Sequence, residues 1–157
     1  MDCLTGDIIL YAATPTSPFY RRLVGSSSLM FKWGTGKIQY GHVAIAVGPQ
    51  TMVQAVWPRV QKVAIDWTDP GIEIWRISDA TPAQRHAAAV AATTHIGDRY
   101  DIGDMMFGLF PSRHAEICSV LVEVSWNGSF VLAPNPADNI VSPDALVAGG
   151  IITKVYG

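Results

Sequence analysis

The sequence predicts an α+β fold, a mainly antiparallel sheet with helices packed against it. Three features carry that prediction. Short apolar runs separated by turn residues fill the first half of the chain. Helix signals follow, and one more apolar run closes the chain, an order that separates strands from helices instead of alternating them. Hydrophobic residues make up 49% of the chain and charged residues 15%, which is enough for a buried core and too little charge for disorder. At 157 residues the chain is read as a single domain, 1–157.

The elements follow in order. "GDIILYA", Gly6 to Ala12, is an apolar run after a turn and reads as a strand. The connection from Thr14 to Lys37 is rich in Pro, Ser and Gly, and holds one candidate helix over Ser27 to Trp33. "YGHVAIAVG", Tyr40 to Gly48, reads as a buried strand. It turns at Gly48-Pro49-Gln50 into "TMVQAVW", Thr51 to Trp57. Arg59 to Ile65 and Gly71 to Ser78 are two further strands, with Pro58 and Asp69-Pro70-Gly71 marking the turns.

Thr81-Pro82 sets a cap and then a proline, the preferred opening of a helix, which runs to a stop near Gly97. Asp101 to Phe110 reads as a short helix. In "HAEICSVLVEVSW", Ile117, Val120, Leu121 and Val124 recur at the spacing of one buried helix face, with Cys118 beside them in the first turn. Val141 to Gly150 reads as a cap, a short helix and a glycine stop. "IITKVYG" is the closing strand.

Composition excludes several classes. The net charge is -2 and the basic residues are scattered, so there is no electrostatic stripe for nucleic acid. No apolar run reaches the ~20 residues that cross a bilayer. The acidic start, with Asp2 and no basic segment, is unlike a signal peptide, so the chain is expected to be made in the cytoplasm. Two cysteines do not make a disulfide framework. No CxxC, HExxH, P-loop or dinucleotide fingerprint occurs, so neither metal nor cofactor is expected.

The chemistry-bearing candidates are Cys118, His42 and Gln54. A thiol attacks a carbonyl well only as thiolate, from an ordinary pKa near ~8.5. A helix N-terminus and a neighbouring imidazolium lower that value. Cys118 sits at such a helix start, although a buried free cysteine is also an ordinary core residue. Of the four histidines, His86 and His95 fall on surface or cap positions of an Ala-rich helix, and His114 lies in a loop. His42 interrupts an apolar strand, where a polar ring is costly without a partner. Gln54, twelve residues on, interrupts the next strand. Its carbonyl can accept from a ring N–H and fix the tautomer, as the third member of a catalytic set does. Taken alone, a histidine such as His42 is more often a satisfied core residue.

"GDIIL", "SSLMFKWGTGKIQYGHVAIAVG", "MVQAV", "RYDIGDMMF", "EICSVLVEVSW" and "SPDALV" together resemble the permuted NlpC/P60 papain-like cysteine hydrolases, with the YiiX-like branch the nearest match. The most specific stretches are Tyr40 to Ile45 and Ile117 to Val122. The family more often has Ser where Gly41 stands, Tyr where Ile117 stands and Glu where Val120 stands. The resemblance implies a circularly permuted papain-like fold with the histidine strand before the cysteine helix. By motif position it carries catalytic roles to Cys118, His42 and Gln54. Tyr40 is a candidate for lining the substrate pocket or for strand packing.

The implied reaction is acyl transfer through a thioester on an amide or ester. The expected substrate is a peptide of bacterial peptidoglycan, as for a phage lysin or tail-associated hydrolase acting after release or within a phage particle. An acyl-lipid hydrolase, thioesterase or acyltransferase is the alternative, motivated by the apolar cluster Leu29, Met30, Phe31 and Trp33. A binding protein with a relic site is the third reading.

Overall fold

Gly6 opens the fold at a φ of +87°, a left-handed turn that L side chains rarely adopt. Its N–H donates to the Ala46 carbonyl at 2.8 Å, so the strand that follows starts already in register. In this computed structural model, residues 3–12, 39–100, 118–132 and 143–157 are described. The helices expected over Ser27 to Trp33 and Asp101 to Phe110, the Leu29–Trp33 apolar cluster and His114 lie outside those residues.

The described elements are β1 (Ile8–Ala12), β2 (Tyr40–Gly48), β3 (Thr51–Val56), β4 (Arg59–Ala64), β5 (Ile72–Ile77), α1 (Pro82–Thr94), α2 (Cys118–Trp126), α3 (Pro143–Ala148) and β6 (Ile152–Tyr156). The six strands form one sheet in the order β4-β3-β2-β1-β5-β6, and every pairing is antiparallel. The mainly antiparallel α+β expectation therefore holds. Strand limits match the sequence reading within two residues. β1 loses Gly6 to its turn, and β3 loses Trp57, which stands 68% exposed before Pro58.

Strand alternation gives the sheet two covered faces. Ile8, Leu10, Val43, Ile45, Val53, Ala55 and Val60 meet the helices through Ala88, Ala92, Leu121, Val122 and Trp126. Ile9, Tyr11, Ala44, Ala46, Met52, Ile72 and Ile74 form a second cluster with Cys3 and Ile65. Cys3 and Cys118 are free thiols in different clusters. Asp7, fully buried, is held by Arg76 through two 2.7 Å contacts that tie the N-terminal turn to β5.

α1 begins as its sequence directs. Thr81 caps the helix, its hydroxyl accepts from the Gln84 N–H, and the Gln84 side chain accepts from the Thr81 N–H. α2 departs from expectation in phase. Val124 is 36% exposed and Val120 half-buried, while Cys118, Ser119, Leu121, Val122, Ser125 and Trp126 are buried. The Ser125 hydroxyl donates to the Leu121 carbonyl at 2.6 Å, so a polar residue enters the core already satisfied.

The close approach of α1 to the first turn generates a prediction. A Cβ at position 6 would stand 2.7 Å from Arg85 Cβ and require a left-handed backbone. Gly6→Ala is expected to destabilise the protein by about 2 kcal/mol, from strain and overlap together, read as a lower urea midpoint with unchanged slope.

Candidate active site

The site begins where two neighbouring strands part. β2 and β3 pair at Gly48–Thr51, Ala46–Met52 and Ile45–Val53, and the ladder stops there. Both strands continue, β2 held on by β1 as far as Tyr40 and β3 by β4 as far as Val56. A side-chain hydrogen bond joins them past the end of the ladder: His42 Nε2 lies 3.0 Å from Gln54 Oε1. An amide oxygen only accepts, so this contact places the proton on Nε2. His42 is 0% exposed and Gln54 6%. The sequence expectation that these two residues pair is met in the geometry.

The first residue of α2 reaches the backbone of the same strand. The Cys118 thiol lies within reach of the backbone N–H groups of Val43, Ser119 and Cys118 itself, all of which favour the thiolate. Val43 immediately follows His42, but alternation along β2 turns the imidazole to the face of Tyr11, Ala44 and Ala46, while Cys118 belongs to the cluster of Val43 and Ile45 on the helix-covered face. The Val43 amide is a site group the sequence gave no means of finding, because backbone donors carry no residue signature. The imidazole ring also meets the Tyr11 ring, with centroids 5.7 Å apart.

The charge states differ from expectation. Cys118 is 8% exposed, and burial pushes its thiol up despite the three amides. The expected lowering by a helix start is outweighed by desolvation. Burial likewise lowers His42 to about 3, with the Gln54 bond opposing the shift. The resting groups are therefore a neutral thiol and a neutral imidazole, not a standing ion pair.

The remaining candidates are placed as follows. Tyr40 is 2% exposed; its hydroxyl donates to Glu73 at 2.8 Å and accepts from Gln39 at 3.0 Å, and its ring meets Trp75 edge-on. Glu73 also accepts from Trp75 and Lys154. Burial opposes ionisation of Glu73, but these donors hold its carboxyl below the usual range. Of the two roles expected for Tyr40 these contacts fit strand packing, with its ring and hydroxyl tying β2 to β5. His86 is exposed, and His95 caps the end of α1 with Nδ1 3.1 Å from Asp98. No group of three or more His, Cys, Asp or Glu side chains is placed to hold a metal among the described residues.

The chain has a YiiX-like fold. It is similar to a solved structure described as metalloprotein YiiX from Escherichia coli O157:H7, DUF1105, with a TM-score of 0.68 and 18% identity over 99% of this chain and 98% of that chain. No protein-family model matches, and no curated protein matches. Likeness at this identity shows the fold and not the activity.

The buried imidazole makes stability depend on acid. Between its ordinary value of 6.5 and about 3, the unfolded chain binds a proton at His42 that the folded protein refuses. Stability from this residue is complete above pH 6.5 and is lost as pH falls, by about 1.4 kcal/mol per pH unit at full slope. Urea unfolding at a series of pH values from neutral to acid is expected to show this slope in wild type and to lose it in His42→Asn.

Proposed function

We propose that the protein is a cysteine hydrolase of the permuted papain-like, NlpC/P60 type, acting by acyl transfer through a thioester. One observation supports the reading: the thiol at a helix start meets the backbone N–H of Val43, the residue after a buried histidine whose ring is bonded to an amide oxygen at 3.0 Å. Nucleophile, base and orienting group are the parts such a reaction needs.

In this reading Cys118 attacks an amide or ester carbonyl and His42 takes the thiol proton, later returning it to the leaving group. Gln54 keeps the proton on Nε2, so that Nδ1 is the basic nitrogen. Both groups rest neutral, so their charges appear together during attack and not before it. The N–H of Cys118, at the helix start, is the backbone donor for the developing oxyanion.

The substrate we favour is the peptide of bacterial peptidoglycan, cut by an amidase or endopeptidase that reaches the wall after release or within a phage particle. Support comes from the sequence resemblance. The structural neighbour is described as a metalloprotein. The described residues of this chain do not bring three metal-ligating side chains together, and the pair at the site is completed by a neutral amide.

The decisive experiment incubates wild type and Cys118→Ala with purified peptidoglycan and compares products by mass. Fragments present only with wild type support the reading and identify the bond. Identical products remove the peptidoglycan assignment, and fatty-acid release from lipid in a parallel arm would transfer the activity to acyl lipids. His42→Ala is expected to abolish turnover, and Gln54→Ala to reduce it about 10- to 100-fold, because the orienting group acts through the base. Equal losses in the two variants would contradict this division of roles.

A further inference from the structure

The stretch that follows α1 builds out one end of the sheet. Gly97 N–H donates to the Val60 carbonyl at 3.0 Å, Val60 N–H to the Asp98 carbonyl at 2.9 Å, and Tyr100 N–H to the Pro58 carbonyl at 3.0 Å. Residues 97–100 are thus laid in register along β4, the last strand of the sheet on this side. Arg59 and Arg99 stand opposite each other across an antiparallel bridge. Both are exposed, and residues paired in this way put their side chains on one face.

Like charges directly opposite each other in a ladder are unfavourable. Among the described residues no acid pairs with either arginine: the ion pairs are Arg76–Asp7, His95–Asp98 and Lys154–Glu73. The Arg59 guanidinium is steadied instead by a neutral group, donating to the Gly97 carbonyl at 2.8 Å. The fold therefore holds two cations side by side, and an anion laid across them would relieve their repulsion.

The same edge presents apolar side chains. Trp57 is 68% exposed and stands immediately before Pro58, whose carbonyl is held by the Tyr100 N–H. Ile96, 44% exposed, stands at the other end of the segment, immediately before Gly97. An indole beside two guanidinium groups suits a lipid headgroup layer, where tryptophan rests at the interface and arginine meets phosphate. The chain as a whole carries a net charge of -2, so attraction to a negative surface has to come from a local patch such as this one.

We propose that this edge docks on an anionic lipid surface, with Trp57 entering the headgroup layer and Arg59 and Arg99 meeting lipid phosphates. A soluble phosphate would use the two arginines and leave the exposed indole with no part, so the lipid surface is the better match. The proposal does not depend on Cys118 being a nucleophile.

The test sediments the full chain with vesicles of phosphatidylglycerol and phosphatidylcholine in equal parts. Wild type is expected to bind, and to bind less as salt is raised. Arg99→Gln is expected to weaken binding about fivefold, and Trp57→Ala about tenfold, each with an unchanged thermal midpoint. Arg99→Lys should recover most of the first loss, because a phosphate at a surface is met by charge. Lys154→Gln removes the same charge at the opposite end of the sheet, on β6, and should stay within about twofold of wild type.

Failure of wild type to sediment would overturn the proposal. So would full binding by Trp57→Ala or Arg99→Gln, or an equal loss in Lys154→Gln, which would make the effect one of net charge. Equally tight binding of double-stranded DNA would also overturn it, by making the arginines a general polyanion contact. None of these outcomes bears on the comparison of wild type with Cys118→Ala, so the two readings fail separately.

Discussion

The site depends on a polar bond made where the backbone ladder fails. β2 and β3 stop pairing after Ile45 and Val53, yet both continue as strands. An imidazole and an amide buried in that interval must satisfy each other or leave polar groups stranded in the core. The 3.0 Å His42–Gln54 contact does this. The N–H of Val43 is then available to the start of α2, and that is where the Cys118 sulfur is found.

Burial acts on the thiol and the imidazole in opposite senses with one result. Desolvation disfavours charge, so it raises an acid and lowers a base. Cys118 moves up and His42 moves down to about 3, and each rests neutral. The amides around the sulfur are preorganised for an anion that the resting protein does not carry. In the proposed reaction such an arrangement acts on the reacting state instead of on the ground state, which is where differential stabilisation increases rate.

Much of this was legible from residue order. Tyr40–Gly48 was readable as a strand because an apolar run ends on a Gly-Pro turn, and Thr81-Pro82 because cap chemistry is local. His42 and Gln54 were readable as partners because each breaks an apolar element and a hairpin joins the elements. The buried face of α2 was misphased because apolar counting favours Val120 and Val124 over Ser119 and Ser125. Ser125 is buried all the same, since its hydroxyl is satisfied by the helix's own Leu121 carbonyl. The thiol's charge state was not legible, because desolvation is set by what covers the residue and the sequence pattern reports only the helix start. The partner that fixes Tyr40 was not legible either: Glu73 is 33 residues away on a strand that neighbours β1, not β2.

The identity of the third residue accounts for the state of the second. A carboxylate at position 54 would attract a proton to the imidazole and hold it as a cation, and it would also supply an anionic ligand beside a thiol and a histidine. A glutamine offers the same acceptor geometry without the charge. It fixes the tautomer yet compensates little of the desolvation, which is why His42 is driven so far below its ordinary range. The same neutrality leaves the site short of an anionic ligand for a cation, in keeping with the lack of a three-ligand cluster among the described residues. A chain that shares its fold with a protein described as a metalloprotein thus carries, at its parted strands, a neutral imidazole–amide pair.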